Sequence, residues 1–204
     1  MKSRHSMILA TVFAVIALAG TATAQNILTN GDFETGDLSG WVVAGGNASA
    51  TVTVEMGDNG PTLPGNNYAY LSNFGEAIGL TLKQTTAVGS ISDGELTYGF
   101  DLKLDQADIG GVVFVEVFAE QSGVGIVGSS GLMGPFWPWN AWESYTGSFI
   151  APVGADFATI QITAVTGAAV GTSCVLRADN VSLEQEGSVA SDVTTWSQIK
   201  AQYR

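Results

Sequence analysis

Along most of this chain, apolar and polar residues alternate with a period of two. In "ELTYGFDLKL", Leu96, Tyr98, Phe100, Leu102 and Leu104 fall on one face, with Glu95, Thr97, Asp101 and Lys103 on the other. Alternation of this kind marks a half-buried β-strand. "FATIQITAV" repeats it with Ile160 and Ile162, and "ATVTVE", "NYAYLSN", "GLTLKQ", "GVVFVEVFAE", "SYTGSFI" and "VLRADNVSLE" read as further strands. Turn signals separate them: "AGGN", "GDNGP", "LPGNN", "SDG", "DIGG" and "TGAAVG". Many short strands without helical periodicity between them predict an all-β fold, a jelly-roll β-sandwich of two antiparallel sheets. No internal repeat is visible.

The two ends break this pattern. "MKSRH" is basic, the run after it is apolar, and "TATAQ" offers small residues for cleavage after Ala24. Residues 1–24 therefore read as a secretory signal peptide. No Cys follows the apolar run, which argues against a lipoprotein anchor, and no later stretch is apolar enough to span a bilayer. A secreted location, extracellular or periplasmic, is expected. The β-sandwich then occupies 25–185, and a polar linker covers 186–191. Residues 192–204 predict a short amphipathic helix with Val193, Trp196, Ile199 and Tyr203 on one face and Lys200 and Arg204 near its end. So short a helix is marginal alone, and it fits a docking element for an envelope or matrix protein.

Charge narrows the partners. Cleavage would remove Lys2 and Arg4 from the 7 basic residues and leave all 19 acids. That balance argues against nucleic acid and anionic membrane. It suits a neutral ligand or a cation. Cys174 is the only cysteine, so no intramolecular disulfide forms, and it reads as a small buried apolar residue. The only histidine, His5, lies in the signal, which leaves the exported chain no imidazole for a metal or a triad. No Gly-x-Ser-x-Gly elbow or phosphate loop is present. Glu116 and Glu120 share a strand face, but four residues apart they sit well separated for a glycosidase pair. A non-enzyme is the expectation.

"NILTNGDFETGDLSGW" resembles the opening of galactose-binding-domain-like jelly rolls, especially carbohydrate-binding modules of families four, nine and twenty-two. "GNNYAYLSN", "LTLKQTTAV" with "LTYGFDLKL", "WESYTGSFIAPVGADFATIQI" and "LRADNVSLE" follow in that family's order, over nearly all of 26–185. The resemblance implies a structural calcium ion tying the first strand to the last. Glu34 and Asp179 would supply carboxylates, and backbone carbonyls near Gly31 and Asn67 would complete the set. The alternative is that Glu34 and Asp179 are strand-end acids in solvent, with Arg177 as another available partner.

The stretch "GPFWPWNAWES" holds three of the five Trp. Trp41 and Trp142 match positions that are core in the family, so both are expected to be buried. Phe136, Trp137 and Trp139 lie in a Pro-interrupted segment that cannot be a regular central strand. Two readings of that segment stand. Either it displays Trp137 and Trp139 to stack on sugar rings, or it folds back to close one end of the sandwich. Tyr68 and Tyr70 share one strand face and either line the sheet beside this segment or are plain strand residues. These residues give the expected function: a non-catalytic protein that binds a neutral polysaccharide or glycan through Trp137, Trp139, Tyr68 and Tyr70. The alternative is a surface, matrix or adhesion protein that uses the sandwich as a rigid body and the tail for docking.

Overall fold

A computed structural model describes residues 24–57, 67–108 and 110–186. The predicted signal, up to residue 23, and the predicted helical tail lie outside the described residues. Six strands form one sheet: β1 (Val42–Gly45), β4 (Gly79–Thr85), β10 (Phe157–Val165), β6 (Val112–Gln121) and β7 (Gly125–Ser129) in that order, with β8 (Met133–Phe136) also paired to β6. Five form the other: β2 (Thr51–Met56), β3 (Asn67–Phe74), β11 (Ser173–Gln185), β5 (Gly94–Gln106) and β9 (Glu143–Ala151). Every strand pair is antiparallel, as a jelly roll requires.

The alternation seen in the sequence decides which side chains fill the space between the sheets. Leu80 and Leu82 of β4, Val113, Val115 and Val117 of β6, and Ile160 and Ile162 of β10 point inward from one sheet. Leu71 of β3, Leu96, Leu102 and Leu104 of β5, and Leu176 and Leu183 of β11 meet them from the other. Burial of these branched side chains, at about 1.5–3 kcal/mol each, is the main term holding the sheets together. Cys174 is fully buried among them. Its surroundings push the thiol up to about 12, chiefly through desolvation. On the outer face of the six-stranded sheet, Thr81 bonds Thr163 at 2.9 Å and Thr85 bonds Thr159 at 2.8 Å, cross-strand pairs of the kind that hold register.

The opening motif closes the sandwich. Ile27 N donates to Leu183 O at 2.8 Å, and Asn26 donates through Nδ2 to Val181 O at 3.0 Å. Val181 N donates to Gly31 O at 2.8 Å, and a Cβ on Gly31 would stand 2.0 Å from Val181 O. Only glycine lets the first segment approach β11 this closely. Phe33, fully buried, packs on Trp41 at 5.3 Å between ring centroids, and Trp41 Nε1 donates to Asn30 O at 2.9 Å. The expected core role of Trp41 is met.

The expected calcium site is not. Glu34 Oε1 accepts a hydrogen bond from Asn67 N at 2.8 Å, so this acid holds the start of β3 directly. The Gly31 carbonyl is taken by Val181 N. Asp179 is buried in β11, where it faces Asp101 of β5 across the ladder and accepts from Asn180 N at 2.7 Å. Among the described residues no group of three or more His, Cys, Asp or Glu is placed to hold a metal ion. The work assigned to an ion, tying first strand to last, is done by backbone and amide hydrogen bonds. The acids named for it, Glu34 and Asp179, and the backbone near Gly31 and Asn67 are engaged with protein groups.

Candidate functional site

The segment after β8 crosses from one sheet to the other. β8 sits on β6, with Phe136 opposite Val113. Two residues later Leu104 N donates to Pro138 O at 2.8 Å, and Asn140 N donates to Leu104 O at 2.9 Å. These bonds put Pro138–Asn140 beside the end of β5, past the start of β9. Proline has no N–H, yet it keeps its carbonyl, and here that carbonyl makes the bond. Between these anchors Trp139 N donates to Trp137 O at 2.8 Å, a tight turn centred on Pro138.

Side chains along this segment split by parity. Phe136 and the buried Pro138 face the protein. Phe136 lies 4.5 Å from Tyr145 and 5.6 Å from Phe100, ring centroid to ring centroid, so an aromatic cluster seats the segment from below. Trp137 and Trp139 face away, 49% and 51% exposed. Their rings are near parallel, 15° apart, with centroids at 6.0 Å, within the range of offset-stacked pairs. The segment is thus anchored against the sandwich by Phe136 and Pro138 and at the same time leaves two indoles half exposed.

Trp142 departs from expectation. It is partly buried and does not belong to the core between the sheets. It packs edge-on against Tyr68, at 6.1 Å and 73°. Tyr68 is on the outward face of β3, so Trp142 lies over the outside of the five-stranded sheet. Its Nε1 is buried with no hydrogen-bond partner among the described residues. Beside it the Arg177 guanidinium sits 4.9 Å from the Tyr68 ring centroid and donates through Nε to Asp105 Oδ2 at 2.6 Å. Asp105, not Asp179, is therefore the carboxylate that Arg177 Nε engages.

Tyr68 and Tyr70 share the outward face, as their spacing predicts. Tyr68 is buried to 4% exposure under its neighbours, and its hydroxyl donates to Glu55 Oε2 at 3.3 Å; Tyr70 is half-buried, opposite Arg177. Burial raises both phenols above their ordinary value, and nearby acids add to the rise while Arg177 opposes it. Both remain neutral donors at physiological pH. The outward face therefore offers Tyr70, Arg177, Asp105 and Glu55, with Trp142 above Tyr68. The tie of Trp142 to Tyr68 was the element sequence reading missed. Its only sequence signal is that Trp142 precedes β9 by one residue, which leaves its direction undetermined.

Glu116 and Glu120 point outward from β6, each half-buried, and Glu120 accepts from the Thr159 hydroxyl. Four strand residues apart, their Cα atoms stand about 13 Å from each other.

No family model and no curated protein matches the chain. Solved structures share its fold. It is similar to the enzymatically active domain of bacteriophage CBA120 tailspike protein 4, at 20% identity and a TM-score of 0.61 over 78% of this chain and 21% of that one. It is similar to a cyclase from Fischerella sp. TAU, at 18% identity and a TM-score of 0.57 over 82% of this chain and all of that one. It is also similar to TmCBM61, solved with β-1,4-galactotriose, at 20% identity and a TM-score of 0.52 over 78% of this chain and 97% of that one. The chain spans about a fifth of the tailspike domain. The fold is the β-sandwich common to several carbohydrate-binding modules, with no particular tie to families four, nine and twenty-two. The same fold carries both binding modules and catalytic proteins.

Proposed function

We propose that this protein is a non-catalytic, secreted glycan-binding module that grips a neutral polysaccharide through Trp137 and Trp139. The observation that carries the reading is the exposed indole pair on a braced segment. Half-exposed large aromatics are costly to leave in water. Here Pro138, Phe136 and two backbone bonds to Leu104 hold them in place. Indole faces bind the C–H faces of sugars by apolar burial and quadrupole attraction. Such contacts need no charge on the ligand, in keeping with the excess of acids over bases. Tyr70, Asp105 and Glu55, on the outward sheet face, supply hydroxyl and carboxylate groups of the kind that bond sugar hydroxyls. No helix among the described residues is long and apolar enough to cross a membrane. A β-sandwich related to a module solved with a galactotriose makes β-linked galactans the first ligands to try.

The test is a binding screen of the exported chain against soluble and insoluble neutral polysaccharides, read by tryptophan fluorescence and by co-sedimentation. Binding that shifts the emission and is lost in Trp137→Ala and Trp139→Ala supports the proposal. Failure to bind any glycan in the screen, or binding that survives both substitutions, refutes it.

A further inference from the structure

Among the described residues β9 is the last strand of the five-stranded sheet, with β5 on one side of it and no strand on the other. Which of its backbone groups face the free side follows from β5. Leu104 turns both its N–H and its C=O toward this edge, donating to Pro138 O and accepting from Asn140 N. Strand parity carries the same direction to Leu102, Phe100, Tyr98 and Leu96. The β5–β9 register runs without a shift from Gly94 to Leu102, so these residues bond Glu143, Tyr145, Gly147 and Phe149. Ser144, Thr146, Ser148 and Ile150 therefore aim their backbone groups away from β5, at the free side.

A free sheet edge is a template for pairing, and proteins blunt it by shortness, charge, proline or a bulge. The other described edges carry such devices. β1 and β8 have four residues each, β8 contains Pro135, and β7 shifts register against β6. β2 has six residues and bears Glu55. β9 has nine residues, and from Ser144 to Ile150 it contains no charge, no proline and no bulge against β5. The inner side of this edge is apolar. Tyr98, Tyr145, Phe149 and Phe136 pack against the core there and remain only partly buried.

We propose that β9 pairs antiparallel with β9 of a second copy of this chain, joining the two five-stranded sheets into one continuous sheet. A strand paired antiparallel with itself is two-fold symmetric. The axis that pairs all four outward-bonding residues with one another passes through Gly147. Thr146 then stands opposite Ser148 of the second copy and Ser144 opposite Ile150, with about eight backbone hydrogen bonds between the strands. On the inner face Tyr145 meets Phe149 of the second copy, an aromatic cross-strand pair of the stabilising kind. No like charges stand opposite each other. At the axis one residue meets itself, and Gly147 brings no side chain; a Cβ there would collide with the Tyr98 hydroxyl, so the Tyr98 ring already covers this point. Nine residues make a contact about 30 Å long, and two sheets about 10 Å apart give it a footprint of roughly 300 Å² per copy. That is well under the about 800 Å² per partner of a stable complex, so the dimer is of the transient class. Both copies are acidic, and salt therefore strengthens the contact by screening their repulsion.

Amide hydrogen exchange of the full exported chain, followed by NMR at low micromolar and at millimolar concentration, reads the contact residue by residue. The amides of Thr146 and Ser148 should exchange severalfold more slowly at the higher concentration, because exchange then follows the remaining monomer. Those of Tyr145, Gly147 and Phe149, bonded to β5, should be slow at both. Sedimentation velocity over the same range should show monomer passing to dimer, further at high salt than at low. Thr146→Pro removes an edge N–H that the β5 ladder does not use, and it should abolish the dimer. Circular dichroism checks that this variant is folded; if it is not, the exchange pattern of the unaltered chain decides. A chain that stays monomeric at millimolar concentration overturns the proposal. So does exchange at Thr146 and Ser148 that ignores concentration, since any dimer would then use another surface, and so does a folded Thr146→Pro that dimerises like the parent. None of these readouts depends on glycan binding.

Discussion

Replacing Trp137 by Ala separates the two uses an indole can have. A fully buried Trp side chain hides about 150–250 Å², and Trp137 and Trp139 are each about half exposed. Roughly 100 Å² per ring is therefore left for a ligand to cover. At about 25 cal/mol per Å² that area is worth at most about 2.5 kcal/mol. A loss near 2 kcal/mol is expected, because the bound sugar covers one face and not the rim, and this corresponds to about thirtyfold in Kd. The folding cost should be smaller. The substitution removes one offset-stacked partner, worth about 0.5–1.5 kcal/mol, and leaves no closed cavity. An unfolding midpoint lowered by a few degrees follows for a chain of this size, against the 3–5 kcal/mol of a core aromatic truncation. Isothermal titration calorimetry with a polysaccharide that the parent binds gives the first number, and thermal unfolding by circular dichroism gives the second. Unchanged affinity together with a core-sized loss of stability would show that the ring is there for packing, and the binding argument would fail.

Four further outcomes follow from the structure. Asn73, fully buried, donates from Nδ2 to Ile78 O and Ala164 O, both at 2.9 Å, and so ties β3 to the other sheet; Asn73→Ala should cost about 2–4 kcal/mol in urea unfolding. Arg177→Leu should lower stability by about 1–2 kcal/mol, since it removes the Asp105 bond and the contact over Tyr68 from a partly exposed pair, and raising the salt concentration should narrow the difference from the parent. EDTA should leave the thermal midpoint unchanged, since Glu34 is bonded to Asn67 N; a lower midpoint would restore an ion to the first-strand tie. Folded-state values above the ordinary ones for Cys174, Tyr68, Tyr70 and Tyr145 mean that the native state holds these protons more tightly than the unfolded chain does. Their contribution is complete below about pH 9 and fades as pH rises through the folded values, so stability should fall on the alkaline side and Cys174 should react with Ellman's reagent only upon unfolding.

What could be read in advance was whatever rests on period two. The strands of the core alternate because each has one face between the sheets, and that requirement acts on every second residue of β3, β4, β5, β6 and β10. The short edge strands β1, β7 and β8 carry no such signal, since their side chains are mostly exposed or half-buried and nothing forces an alternation on them. Trp137 and Trp139 were legible as a pair because proline spacing limits what the backbone can do there. Trp142 was not legible. Three residues after Trp139, it turns over the outside of the sheet to meet Tyr68, a contact between residues 74 positions apart that no local pattern encodes.

The calcium expectation failed for a related reason. Placing Glu34 and Asp179 at the right points along a chain says nothing about which donors reach them first. In the fold, a backbone N–H is already 2.8 Å from Glu34 and another is 2.7 Å from Asp179. A carboxylate that accepts such bonds has its charge answered without an ion. Gly31 sharpens the point. The glycine looked like part of a ligand loop, yet its missing side chain is what lets Val181 come close enough to bond the Gly31 carbonyl. The opening segment, Asn26 to Gly31, is thus joined to β11 by close approach and direct hydrogen bonds. Gly31→Ala should break that junction: the added methyl group meets the Val181 carbonyl oxygen at 2.0 Å, the two backbones must part, and the Val181 N to Gly31 O bond goes with them. A loss of about 2–4 kcal/mol is expected, comparable to other overpacked positions with a broken buried bond, and calcium added to the variant should not restore it. If Gly31→Ala instead folds with the stability of the parent, the close approach of the opening segment to β11 is not what closes this sandwich.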